Sequence, residues 1–124
     1  VKCFSMDDQT FPLPTRIRVG YRIYVVYPMS YADMERLERH GETNKRRAEI
    51  YVCNQDAPLV VLDTLLHEIN HAIWNEYNLS ESEDEEKAVH MLSSGMVQVL
   101  HDNPKLVKVC LKLLKEAANA VQSD

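Results

Sequence analysis

Cysteine is scarce in this chain of 124 residues, which holds only Cys3, Cys53 and Cys110. An odd count, long spacings and the lack of any Cys-x-x-Cys exclude a disulfide framework and a thiolate zinc site. They fit a reducing, cytoplasmic setting in which Cys53 and Cys110 act as small core residues. Basic residues are also in deficit: 14 Lys and Arg stand against 19 Asp and Glu, a net charge of −5. Binding to nucleic acid needs a surplus of positive charge, so it is not expected as the main task. The local basic groups Arg16, Arg18, Arg22 and Lys45, Arg46, Arg47 read as solvated faces of strands or turns. No apolar run approaches the ~20 residues of a membrane helix, and no signal-peptide pattern opens the sequence, so no membrane partner is expected. The length suits one domain, spanning 1–124, with a single core.

Against this background one stretch stands out, Leu65-Leu66-His67-Glu68-Ile69-Asn70-His71-Ala72-Ile73-Trp74. It carries His-Glu-x-x-His inside an apolar run free of Gly and Pro. In a helix, His67 and His71 stand one turn apart on one face. Two imidazoles so placed can hold one zinc ion, with Glu68 beside them as a general base. The bland reading is a helix with two ordinary histidines. Shuffling this composition would give the motif by chance roughly two times in a hundred.

The rest of the chain is predicted as an α+β fold, with a small antiparallel or mixed sheet in the N-terminal half packed on a helical C-terminal half. Residues 1–15 lack periodicity and read as an irregular lead-in. Residues 16–27 alternate, with Ile17, Val19, Tyr21, Ile23 and Val25 on one face, and Gly20 marks either a bulge or a split into two strands. Ser30 to Asp33 has capping-box spacing and opens a short helix to about Arg39, closed by Gly41. Residues 42–53 predict a hairpin turning at Asn44-Lys45, with Glu49–Cys53 as the clearer strand.

Asp56-Ala57-Pro58 then starts the motif helix, with Asp as cap and Pro in the first turn, and the helix runs to Tyr77-Asn78. Ser80 and Ser82 each suit the cap of a third helix, which presents Ala88, Val89, Leu92, Gly95, Met96 and Val99 as its stripe. Asn103-Pro104 opens a fourth helix with Leu106, Val107, Cys110, Leu113, Leu114 and Ala117 inward and Lys105, Lys108, Lys112 and Lys115 in water.

A catalytic zinc takes three protein ligands and keeps a position for water. The third is sought on the helix after the motif. Glu85 stands four residues before Val89 and seven before Leu92, on the stripe that faces the motif helix, and is favoured. Glu86, about 100° round, is the alternative. Asp63, four residues before His67, is placed to reach that ring or to remain solvated. His90, His101, Tyr77 and Tyr51 are unranked candidates for a second donor to a carbonyl oxygen.

The order strand, hairpin, Leu-Leu-His-Glu-Ile-Asn-His-Ala-Ile helix, Glu-Glu-Lys-Ala-Val helix resembles the zincin-like metallopeptidases. It is similar in particular to compact gluzincins encoded by phages and mobile elements, over roughly residues 16–103, with Asp102-Asn103-Pro104 also like phage proteins of this type. The resemblance implies zinc held by His67, His71 and a Glu of the next helix, with Glu68 as general base. The implied activity is hydrolysis of peptide bonds in a protein or peptide substrate in a bacterial host. It also implies a sheet edge beside the cleft for an added peptide strand, with Glu49–Cys53 the candidate edge. Larger gluzincins carry an Asp four residues after the Glu ligand; this chain has Val89 or His90 there. Such a departure suits a second outcome as well, a zincin-fold module that binds zinc without useful turnover.

Overall fold

The computed structural model describes residues 10–78 and 85–122, without the side chains of residues 85–87, 89–90 and 120–122. Cys3, Ser80 and Ser82, with the first nine residues of the expected lead-in, therefore lie outside the described residues. The fold is α+β. A four-stranded mixed sheet is made of β1 (Arg16–Val19), β2 (Arg22–Met29), β3 (Gly41–Asn44) and β4 (Glu49–Cys53). The described helices are α1 (Tyr31–Leu37), α2 (Pro58–Glu76), α3 (Glu85–Asp102) and α4 (Pro104–Gln122). None is long and apolar enough to cross a membrane among the described residues.

The alternating stretch is two strands rather than one. Gly20-Tyr21 is a two-residue hairpin loop, with Gly20 at φ +61° where a side chain would be strained. Ile17 pairs with Tyr24 across the hairpin, so the inward parity changes from odd to even at the loop. Ile17, Val19, Tyr24 and Val26 are buried, whereas Tyr21 is 99% exposed and Ile23 points to solvent. The single inward face expected from Ile17 to Val25 therefore breaks at Gly20.

α1 has the expected Ser30 cap, its Oγ accepting from the Asp33 amide at 3.1 Å. It ends at Leu37 with Glu38 in the left-handed region at φ 55°, and Gly41 opens β3 instead of closing the helix. The hairpin turn covers residues 45–48. β2 and β4 run parallel, giving the order β1-β2-β4-β3. The candidate edge strand, Glu49–Cys53, is thus interior. Its antiparallel partner β3 is the outer strand, because the chain enters β4 from the sheet margin and is drawn inward by pairing with β2.

The other margin is covered. Asn103 Oδ1 accepts from the Arg18 amide at 3.0 Å, Asn103 Nδ2 donates to the Arg18 carbonyl at 3.1 Å, and Gln98 Oε1 accepts from the Gly20 amide at 3.0 Å. These side-chain amides do for β1 what a neighbouring strand would do. Asn103 therefore spends its side chain on β1, and its carbonyl alone starts α4 by accepting from Leu106 at 3.0 Å.

α2 lies across the inner sheet face through Val61, Leu65, Ile69, Ala72 and Ile73, all fully buried. Its N-cap is Ala57, not Asp56; Asp56 accepts from the Ala57 amide at 2.8 Å instead, and Pro58 is in the first turn as expected. α3 crosses α2 at Gly95, where a Cβ would stand 2.6 Å from Ile73 Cγ2. α4 closes the core with Leu106 and Leu113. Burial raises the pKa of the Cys53 and Cys110 thiols, consistent with small, unreactive packing residues. The irregular lead-in is tied down from residue 10 onward, with the Phe11 amide donating to the Asn54 carbonyl at 3.0 Å and Asn54 Nδ2 donating back at 2.9 Å.

Candidate metal centre and groove

With Leu65, Ile69 and Ile73 turned to the core, the 3.6-residue period puts His67 and His71 on the opposite, solvent-open face of α2. Their rings meet edge to face, and the two Nε2 atoms stand 3.2 Å apart. Two nitrogens bound to one tetrahedral zinc, with Zn–N bonds of 2.0–2.1 Å, stand about 3.3 Å apart. The pair thus has the separation of two ligands of a single ion, reached without distorting the helix.

Glu68, about 100° round the helix from His67, faces β3 and is 6% exposed. The Thr43 hydroxyl lies 2.6 Å from Glu68 Oε1 and 3.1 Å from the Glu68 carbonyl oxygen. Among the described residues Oε2 accepts no hydrogen bond. Glu68 itself borders the groove between β3 and α2. One carboxylate oxygen is therefore anchored by the Thr43 hydroxyl. Gly41 permits this closeness: a Cβ there would lie 2.8 Å from Thr64 Cγ2 and from the Tyr51 carbonyl oxygen, and 3.1 Å from Glu68 Cγ.

A groove runs between β3 and the open face of α2. Its middle, about 440 Å³, is lined by Arg39, Gly41, Thr43, Lys45, His67, Glu68 and His71, among others. One end, about 520 Å³, adds Asn70, Trp74 and Leu92; the other, about 260 Å³, adds His40, Asp63 and Thr64. His67 borders all three.

The remaining expected site residues fall as follows. Glu85 and Glu86 are in the first turn of α3, and their side chains, like that of His90, lie outside the described residues. Among the described residues no group of three His, Cys, Asp or Glu is gathered for a metal. Asp63 is exposed and makes no hydrogen bond to His67, matching its solvated reading. Tyr51 donates to Glu49 at 3.0 Å and stacks on Tyr27. Tyr77 packs beside Gly20 and Gly95, and His101 pairs with Asp102 at 2.9 Å. None of these three lines the groove, so none is placed to aid a carbonyl oxygen.

The sequence reading missed Thr43, Gly41, Arg39, Lys45 and Trp74. Trp74 was legible, being three residues after His71 and so on the same helical face. The others reach the groove only through sheet pairing, for which the local sequence carries no signal. Compared with models of protein families, with curated proteins and with solved structures, the chain matches none.

Proposed function

We propose that the chain is a zinc-dependent peptidase of zincin-like, compact gluzincin type. His67 and His71 hold the metal through Nε2, with Glu85 as third ligand and Glu86 as the alternative. The observation that carries this reading is the 3.2 Å approach of the two Nε2 atoms beside a carboxylate that lines the same groove and is held by the Thr43 hydroxyl. Leu92 lines the groove, and Glu85 stands two helical turns before it on the same stripe of α3, which favours Glu85 over Glu86.

A zinc ion there supplies a Lewis acid that makes water nucleophilic near neutral pH and offsets negative charge on a carbonyl oxygen. Glu68 Oε2 takes the proton of the attacking water and returns it to the leaving amine. Thr43 keeps Oε1 in place, so the carboxylate need not reorient between the two transfers. The open margin of β3 offers backbone hydrogen bonds to an extended peptide, which would lie across His67 as an added strand.

Glu68→Gln tests the reading. It preserves shape and both imidazoles but removes the base. Zinc content should be unchanged, while cleavage of a protein substrate falls by at least about 100-fold. None of His101, Tyr77 and Tyr51 lines the groove, which suits one rival, a zincin-fold module that binds zinc and peptide without turnover. That rival predicts no cleavage by the unaltered chain.

A further inference from the structure

The middle and one end of the groove are joined at Lys45, which borders both. Lys45 sits in the turn between β3 and β4, and the turn is held by Asn44 and by Arg22. Asn44 Oδ1 accepts from the Arg47 amide at 3.0 Å. Arg22 donates to the Lys45 carbonyl at 2.9 Å and to the Arg46 carbonyl at 3.3 Å. The same guanidinium is fixed to Glu76 of α2 at 3.3 Å. The Lys45 backbone is therefore tied to α2 through Arg22, and its exposed side chain borders the groove with the two histidines.

Of the acidic residues near it, Glu68 lines the same cavity with one oxygen held by Thr43, and the others pair with arginines. Glu42 pairs with Arg39 at 3.2 Å, Glu49 with Arg47 at 3.9 Å, and Glu76 with Arg22. Among the described residues Lys45 has no anionic partner. Next to it, Trp74 and Leu92 form a half-buried apolar shelf beyond His71. A cation without a carboxylate partner thus stands beside an apolar shelf, in a molecule of net charge −5.

We propose that the groove selects peptides with a Glu or Asp beside a large apolar or aromatic residue, Lys45 receiving the carboxylate and Trp74 with Leu92 the apolar side chain. This rests on the groove being a peptide site; the acidic preference is independent of turnover. The turn that reads as solvated in the sequence is thereby a recognition element.

The test measures binding separately from cleavage. Three short fluorescein-labelled peptides carry a central Phe flanked on both sides by Glu, Gln or Lys. Fluorescence polarisation reads their binding to the whole, zinc-loaded Glu68→Gln chain. At about 0.05 M salt the Glu peptide should bind about threefold tighter than the Gln peptide and about tenfold tighter than the Lys peptide. The ranking should flatten at about 0.5 M salt. Lys45→Glu should reverse it, Lys45→Arg should keep it, and Trp74→Ala should weaken all three alike.

Equal binding, no measurable binding, or a ranking unchanged in Lys45→Glu overturns the proposal. If the ranking holds in binding but the unaltered chain cleaves none of the peptides, selection stands and the peptidase reading falls. If the unaltered chain cleaves all three with equal kcat/KM and the variant ranks none, the peptidase reading stands and selection falls.

Discussion

Glu68 is 6% exposed, while His67 and His71, on the same helix, are open to solvent. The difference comes from β3, which reaches α2 at Gly41 and Thr43 and covers the carboxylate but not the rings. Gly41→Ala isolates this contact. Its methyl group would press on Thr64, on the Tyr51 carbonyl and on Glu68 Cγ, and would lift β3 from α2. Stability should drop by about 1–3 kcal/mol in urea unfolding. Cleavage should fall more steeply than zinc content, since the strand carries the Thr43 anchor while the histidines lie wholly on α2. Equal loss of both would mean that β3 only supports the fold.

At the scale of elements, α2 is fixed at its C-terminal end by a small buried network. Tyr24 of β2 donates to Glu76 Oε2 at 2.6 Å, and Asn75 and Arg22 donate to the same oxygen. Burial, followed by the Glu76 hydrogen bond, pushes the Tyr24 hydroxyl up to about 12 from its usual 10.0. A raised folded-state pKa means stability fully present below pH ~10 and lost as pH climbs through ~12. The loss should be on the order of 2 kcal/mol. Urea midpoints measured across pH 9–12 should fall for the natural chain. The fall should be shallower in Tyr24→Phe, which removes this contribution while leaving other titrating groups in place. Parallel curves would contradict the role given to this hydroxyl.

The same elements show what could be read from sequence. α2 was legible to its last turn because its apolar positions keep one period and Pro58 fixes its start. The hairpin of β1 and β2 was legible only in part. In a two-residue hairpin, facing positions such as Ile17 and Tyr24 have opposite parity, so a period-two pattern run through Gly20 assigns Tyr21 and Ile23 to the wrong side. The interior place of β4 could not be read at all, because parallel pairing with β2 leaves no mark on either strand. The same limit applies to the site. His67, Glu68 and His71 are contiguous and stood out, whereas Thr43 and Lys45 become neighbours of α2 only after β3 has paired. Asn103 opens α4 as read, through its carbonyl, but its side chain bonds Arg18 of β1 and the Val99 carbonyl, which only tertiary contact decides.

At the scale of the whole molecule, among the described residues, one sheet margin is covered and the other, at β3, is not. Gln98 and Asn103 bond the β1 side, and the groove with its two imidazoles runs along the β3 side. Among the described residues, this asymmetry puts the two imidazoles beside the uncovered margin, where the proposed peptide strand would lie. Zinc held at that place should also stabilise the fold, because only the folded chain brings the ligands together.

The central claim, that His67 and His71 together bind zinc, is tested most directly by calorimetric titration of zinc into the metal-free chain. The account predicts about one zinc per chain, retained in Glu68→Gln and abolished in the His67→Ala, His71→Ala double variant. Absence of binding in the unaltered chain, or undiminished binding in the double variant, would contradict it.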